Sequence, residues 1–128
     1  MTLIRQVKDP DEAKRLVLHE PLWEMIGRGA DKSKYLNTLR YALIFSHDDK
    51  AVSIVFVRGR STVEWHCYVY PEYRKESIRL CESFLTYLKD KGVKEIQTII
   101  PSRFKATQNF ALKRLFFTKN NEKFTRLL

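Results

Sequence analysis

At Pro71 the apolar pattern of this 128-residue sequence changes from the period of a β-strand to that of an α-helix. Before Pro71, residues 41–46, 51–58 and 62–70 are rich in β-branched and aromatic side chains and are separated by polar turns, which predicts a three-stranded meander. After it, the segment 77–91 predicts an amphipathic helix with an apolar stripe of Ile78, Cys81, Leu85 and Leu88. A meander that leads into a long helix predicts an α+β or mixed α/β fold.

The segments before the meander predict three further elements. Residues 2–7 alternate as a short strand, and Asp9 is suited to cap a helix whose first residue is Pro10. A second short helix ends at Gly27. The polar residues 27–38 predict a flexible loop.

The segments after the long helix complete the order of elements. Gly92 is placed to end that helix, and residues 95–100 predict a strand. A helix over 103–115 and a final hairpin over 116–128 give the order β-α-α-β-β-β-α-β-α-β-β. With four Gly, four Pro and no repeat, the chain is expected to form one domain over residues 1–128.

Composition and spacing exclude several classes of protein. No apolar run approaches the ~20 residues that span a bilayer, and the N-terminus has no secretory apolar region. Cys67 and Cys81 are too few for a disulfide scaffold and are interpreted as core thiols. His19, His47 and His66 lie far apart and are not spaced with the cysteines as zinc ligands, so no metal site is predicted. We expect a soluble, cytoplasmic protein.

The positive charge of the chain is concentrated in its second half. The formal charge is +9; residues 1–64 carry 11 Lys and Arg against 9 Asp and Glu, whereas residues 65–128 carry 13 against 6. Such a surface attracts phosphates of nucleic acid or of a nucleotide cofactor, or an acidic protein partner. It is equally consistent with a solvated, lysine-rich surface that keeps a small protein in solution.

Three motifs carry a resemblance to a known family. The segment Val69-Tyr70-Pro71-Glu72-Tyr73-Arg74-Lys75-Glu76-Ser77-Ile78-Arg79 resembles motif A of the GNAT acyltransferase superfamily, V-x-P-E-Y-R followed by R-x-x-G-x-G/A and a long helix. The segment 111–117 resembles the end of motif B. The pattern Glu64-x-His66-x-x-Val69-x-Pro71-Glu72-x-Arg74 is similar to one in the small GNAT-like proteins of tailed bacteriophages.

The resemblance implies a fold, a cofactor and a binding loop. The implied fold is a mostly antiparallel sheet of about six or seven strands flanked by about four helices, and the implied cofactor is acetyl-CoA. Backbone N–H groups at the start of the long helix would hold its pyrophosphate. The positions that match this loop are Val69, Arg74, Lys75, Glu76, Ser77, Ile78 and Arg79. Ser77 and Arg79 stand where the family has glycines, and Glu76 adds a carboxylate beside the expected anion.

The same resemblance implies an amine acceptor and a general base on the fourth strand. Glu64 and His66 are the candidates, and alternation along the strand places both on one face. His66 is also consistent with a packed, hydrogen-bonded strand histidine. Leu112 stands where many members have a proton-donating tyrosine, and Phe116 stands where they have a glycine.

Three functions remain open at this point. The first is a phage-type accessory protein with a decayed acyl-CoA site, which binds a protein partner during virion assembly and is therefore associated with the virion. The second is an acetyl-CoA-dependent N-acetyltransferase. The third is a small nucleic-acid-binding module, whose phosphate contacts would be Arg103, Lys105, Lys113, Arg114, Lys119, Lys123 and Arg126. The departures at the loop glycines and at Leu112 favour the first.

Overall fold

The computed structural model of the chain describes residues 3–128 and contains one seven-stranded sheet. The strands are β1 (Ile4–Gln6), β2 (Leu43–His47), β3 (Ala51–Val57), β4 (Thr62–Val69), β5 (Glu95–Ile99), β6 (Thr118–Asn120) and β7 (Lys123–Leu127). Their order in the sheet is β1-β2-β3-β4-β5-β7-β6. β4 and β5 pair in parallel, and the other neighbours are antiparallel. The predicted α+β fold is confirmed; Thr2, included in the predicted first strand, lies outside the described residues.

In the part of the chain that the structure describes, five α-helices cover the two faces of the sheet. They are α1 (Pro10–Val17), α2 (Glu20–Gly27), α3 (Lys32–Thr38), α4 (Ser77–Asp90) and α5 (Lys105–Lys113), and short 3-10 helices lie at Leu39–Tyr41 and Pro71–Glu76. One apolar cluster centres on Trp65 and Phe84, and the other contains Leu22, Tyr35 and Ile54. Within residues 3–128, no helix has the length and apolar character needed to cross a membrane.

The predicted flexible loop over residues 27–38 is wrong, because α3 occupies its second half. The Asp31 carboxylate accepts a hydrogen bond from the Lys34 N–H at 2.9 Å and so caps the helix. The Tyr35 side chain is completely buried, and its hydroxyl donates to the Val17 carbonyl at 2.7 Å. A capped helix of only seven residues, with one buried anchor, has too few apolar positions to show a helical period in sequence.

The predicted apolar stripe of α4 is confirmed at Cys81, Leu85 and Leu88 and is wrong at Ile78. Ile78 is 46% exposed, whereas Leu80 and Phe84 are completely buried together with the predicted Cys81 and Leu85. The sheet lies along the side of the helix that carries residues 80, 81, 84, 85 and 88. Ile78 lies at the start of the helix, outside this contact. Gly92 adopts φ +93° directly after the helix, as its predicted position requires.

A buried polar network links β2, β3, β4 and α4. The Trp65 Nε1–H donates to the Ser53 hydroxyl oxygen at 2.8 Å, and the Ser53 hydroxyl lies 2.7 Å from His47 Nε2. His47 Nδ1 lies 3.3 Å from the Leu80 carbonyl. Burial lowers the pKa of His47 to about 4, although the hydrogen bond to Leu80 opposes the shift. The imidazole is therefore neutral, with Nδ1–H donating to Leu80 and Nε2 accepting from Ser53.

We predict that this network makes stability depend on pH. His47 binds a proton below about pH 6.5 in the unfolded chain but only below about pH 4 in the folded protein. The free energy of unfolding therefore decreases as the pH falls through this window. From pH 7 to pH 5 the free energy of unfolding should decrease by about 2 kcal/mol through this group. Urea unfolding at both pH values measures the decrease. His47→Gln should remove it, and the control His19→Gln, at an exposed position, should leave it unchanged.

Candidate functional site

The two central strands of the sheet separate part-way along their length. Within residues 3–128, three pairs join β4 to β5, from Thr62–Glu95 to Glu64–Gln97. β4 continues to Val69 along β3, and β5 continues to Ile99 along β7. Beyond Glu64 the edge of β4 therefore faces a gap between the two strands instead of a paired strand.

A cavity of about 450 Å³ fills this gap. Its walls come from β4, from α4, from the end of β5 and from α5, and α2 contributes Pro21 and Met25. Aromatic and aliphatic side chains predominate, and the polar groups include Cys67, Tyr68 and Thr98. The size and the lining are those of a site for a small organic molecule. The contributions of α2 and α5 were not predicted, because they depend on how distant segments pack.

The turn between β4 and α4 differs from a loop that offers free N–H groups to an anion. Residues Pro71–Glu76 form a 3-10 helix that runs directly into α4. The Ser77 backbone N–H donates to the Arg74 carbonyl, and the Ser77 hydroxyl donates to the same oxygen at 2.8 Å. Ser77 lines the cavity, but both of its donors are used within the turn.

The Glu76 carboxylate holds two cations of this region. Lys50 Nζ donates to it at 3.1 Å, and Arg79 forms a short ion pair with it. Arg79 also lies 3.5 Å from an Asp48 oxygen. Hydrogen bonds from Arg79 and Lys50 lower the pKa of Glu76, so it is negatively charged at neutral pH. Lys50 and Asp48 belong to the β2–β3 turn, and nothing in the sequence indicates that this turn meets the start of α4.

The other residues of the predicted cofactor loop occupy different surroundings. Val69 and Arg74 line the cavity, and Arg74 Nε donates to the Val69 carbonyl at 3.3 Å. Lys75 and Ile78 are exposed. The structure therefore brings Val69, Arg74 and Ser77 to the cavity.

Glu64 and His66 form a contact on one face of β4. β3 and β4 pair in continuous register from Ala51–Val69 to Val57–Val63, so the strand keeps its alternation. His66 Nε2 lies 2.6 Å from one Glu64 oxygen, and Arg58 donates to the other at 2.9 Å. Neither Glu64 nor His66 lines the cavity, whereas Tyr68, two residues further along β4, does.

The electrostatics of this pair separate the two candidates for the general base. Burial raises the pKa of Glu64, but interactions with His66 and Arg58 outweigh it and bring the pKa to about 2. Glu64 is therefore a weak base. His66 is 2% exposed, and its Nδ1 is a buried side-chain atom without a hydrogen-bond partner in the described part of the chain. Since Nε2–H donates to Glu64 in the neutral ring, Nδ1 carries an unused lone pair.

An aromatic cluster connects the cavity to a polar cleft beside it. The His19 ring lies 5.3 Å from the Tyr68 ring and 5.2 Å from the Tyr70 ring. Tyr68 lines the cavity, whereas His19 and Tyr70 line a cleft of about 520 Å³ next to α1. Leu112, which stands where many members of the similar family have a proton-donating tyrosine, packs against the core. Phe116, at the glycine position, adopts φ +59° and is 71% exposed.

The basic residues of the C-terminal half are partly engaged in the fold. Arg126 binds Glu82 and the Leu115 carbonyl, at 3.2 and 2.9 Å. Arg103 donates to the Glu24 carbonyl at 3.0 Å and joins the start of α5 to α2. The predicted members that are exposed are Arg103, Lys105, Lys113, Arg114, Lys119 and Lys123.

Comparison with solved structures identifies this arrangement of strands. The chain is similar to an IAA acetyltransferase from Bacillus cereus, with a TM-score of 0.66, 10% identity and 100% of both chains covered. The chain is also similar to the GNAT domain of S. lividans PAT, with a TM-score of 0.71 and 10% identity. This match covers 98% of this chain and 89% of that one. A probable GNAT-family acetyltransferase from Chromobacterium violaceum is similar with a TM-score of 0.70 and 14% identity. The match covers 98% of this chain and 87% of that one.

These likenesses show that the chain has the fold of the GNAT acetyltransferases. The expectation drawn from the motif around Pro71 is thereby confirmed at the level of the fold, and the sheet has seven strands as expected, with five helices instead of about four. No protein-family model matches the sequence, and no curated protein matches it.

We predict that Arg58 holds the Glu64 pKa low. In Arg58→Gln one cation no longer faces the Glu64 carboxylate, so its pKa should rise from about 2 by about one unit. A carboxyl-detected NMR titration of Glu64 measures the change. Arg60→Gln, at an exposed position in the same turn, is the matched control and should leave the titration unchanged. An unaltered Glu64 titration in Arg58→Gln would contradict the assignment.

Proposed function

We propose that the protein binds an acyl thioester in the cavity between β4 and β5 and transfers its acyl group to an amine. The observation that carries the proposal is the cavity itself, which lies where β4 and β5 separate and is lined mainly by apolar side chains. The GNAT fold of the chain supports it, since the solved structures of this fold include acetyltransferases. Fold alone does not establish activity, whereas a cavity of this size and lining is a specific binding site.

The cavity and the turn differ in how well they fit acetyl-CoA. The apolar gap fits the acyl and thioester end of the molecule. The turn does not fit the pyrophosphate, because Ser77 uses its donors on Arg74 and Glu76 places a carboxylate beside Lys50 and Arg79. We therefore propose that most of the affinity comes from the thioester end and that Arg74 is the cation best placed at the cavity.

The roles of the chain's own residues follow from their contacts. A bound thioester supplies an activated carbonyl carbon. Glu64, held by Arg58, orients the His66 ring through Nε2, and His66 Nδ1 is the proposed final acceptor of the amine proton. The proton reaches this atom through an intervening group, because the His66 ring is buried and does not line the cavity. Tyr68, which lines the cavity beside this face of β4, is the proposed proton donor in place of the absent tyrosine at Leu112.

The first test is ligand binding by the intact protein. Acetyl-CoA and acetyl-pantetheine, which lacks the nucleotide and its pyrophosphate, should both raise the melting temperature, with dissociation constants that agree within a few-fold. A ligand at ~100 times its dissociation constant stabilises the fold by roughly 2.7 kcal/mol. Ala106→Trp, at an exposed position that lines the cavity, should abolish the shift, and Asn109→Trp on the same helix should retain it. The absence of any shift with either ligand would reject the proposal.

The second test removes the carboxylate from the turn. Glu76→Gln releases Lys50 and Arg79 and should tighten acetyl-CoA binding about fivefold, since one like charge about 4 Å from a phosphate in water costs about 1 kcal/mol. Binding of acetyl-pantetheine should not change. Titration calorimetry at low salt gives both constants, and Glu72→Gln, on the same 3-10 helix, is the control. Equal effects on both ligands would show that the turn does not face the phosphates.

A second candidate function is favoured by the same turn. A protein whose turn no longer holds phosphate can retain the GNAT fold as a scaffold that binds a protein partner. The virion-assembly role implied by the resemblance to phage proteins stays a prediction of this kind. Pull-down of a single partner by a variant with a blocked cavity, such as Ala106→Trp, would favour it over the transferase.

A further inference from the structure

The wall of the cavity formed by β4 and α4 carries both cysteines of the chain. Cys67 is half-buried on β4, and Cys81 is 4% exposed on α4. Cys67 packs against the apolar cluster that contains Cys81. Both side chains line the cavity, one from each of these two packed elements.

The two thiols are chemically unequal. The hydrogen bond from Cys81 lowers the pKa of Cys67, which increases its thiolate fraction. The hydrogen bond to Cys67, followed by burial, raises the pKa of Cys81. A thiol of lowered pKa that faces a cavity, with a second thiol beside it, is the arrangement found at cysteines that respond to oxidants.

We propose that Cys67 and Cys81 form a modification site for hydroperoxides, at which the two thiols are oxidised to an intramolecular disulfide. With hydrogen peroxide, the Cys67 thiolate attacks one peroxide oxygen, the O–O bond breaks, and the leaving hydroxide takes up a proton to become water. The Cys81 sulfur then attacks the sulfur of the Cys67 sulfenic acid, the S–O bond breaks, and the second water leaves with the Cys81 proton. Two thiols lose two electrons in total, and one peroxide is reduced.

The disulfide would connect β4 to α4 across the wall of the cavity. The loop that it closes contains the 3-10 helix Pro71–Glu76, together with Arg74 and Ser77, which line the cavity. Oxidation therefore fixes the spacing of β4 and α4, which together form one wall of the cavity. This inference rests on the cavity and the thiol pair, and it stands whether or not the protein transfers an acyl group.

The experiment treats the native protein with hydrogen peroxide and follows intact mass under non-reducing conditions. The expected product is a monomer that has lost two hydrogens and regains them with dithiothreitol. Cys81→Ser should stop at the sulfenic acid of Cys67, which dimedone traps. Cys67→Ser should react at least tenfold more slowly than the wild type, because the remaining thiol is buried.

Three controls make the result decisive. Circular dichroism confirms that each variant is folded, and Cys81→Ala replaces Cys81→Ser if the serine variant is not. Ala106→Trp should slow the oxidation, because both thiols face the cavity that this residue lines, and Asn109→Trp should not. The denatured chain shows that the peroxide is sufficient to oxidise both thiols. Three results would each overturn the proposal. The first is the formation of disulfide-linked dimers, and the second is oxidation of Cys67→Ser at the wild-type rate. The third is a native protein that resists peroxide although the denatured chain is oxidised.

Discussion

The short parallel contact between β4 and β5 is the constraint on which the site depends. β4 pairs with β3 over seven residue pairs and β5 pairs with β7 over five, whereas β4 and β5 share three. Each half of the sheet is thus held by its own antiparallel ladder, and the two halves diverge beyond Glu64. Trp65 of β4 stacks on Phe117, which directly precedes β6, and so connects the two halves at the cavity. The cavity is the space that this divergence leaves.

Two carboxylates determine the electrostatic character of the region. Glu64 is bound by Arg58 and His66, and Glu76 is bound by Lys50 and Arg79. Each carboxylate therefore remains charged at neutral pH. Its oxygens accept hydrogen bonds from these partners and are not available to a ligand or a proton. Around Glu64 this leaves His66 Nδ1 as the unused acceptor. Around Glu76 it opposes the binding of phosphate.

The sequence predicted those elements whose signals are local and long enough to be periodic. Asp9 caps α1 as expected, accepting a hydrogen bond from the Asp11 N–H at 3.1 Å, because capping needs only neighbours in the chain. The long helix after Pro71 was also predicted, over 77–91, and the observed helix ends one residue earlier, at Asp90. α3 was missed, since its stability comes from a buried Tyr35 whose partner, Val17, is 18 residues away.

The sequence by itself indicated the fold, through the resemblance of the motif around Pro71, and placed Glu64 and His66 on one face of β4, through the two-residue period of a strand. Only the tertiary structure decided which charges those residues meet. Lys50 reaches Glu76 because the β2–β3 turn folds against the start of α4, and Cys67 and Cys81 line one cavity because α4 packs on β4. Such contacts join segments through packing of the whole sheet, and no local spacing in the chain encodes them.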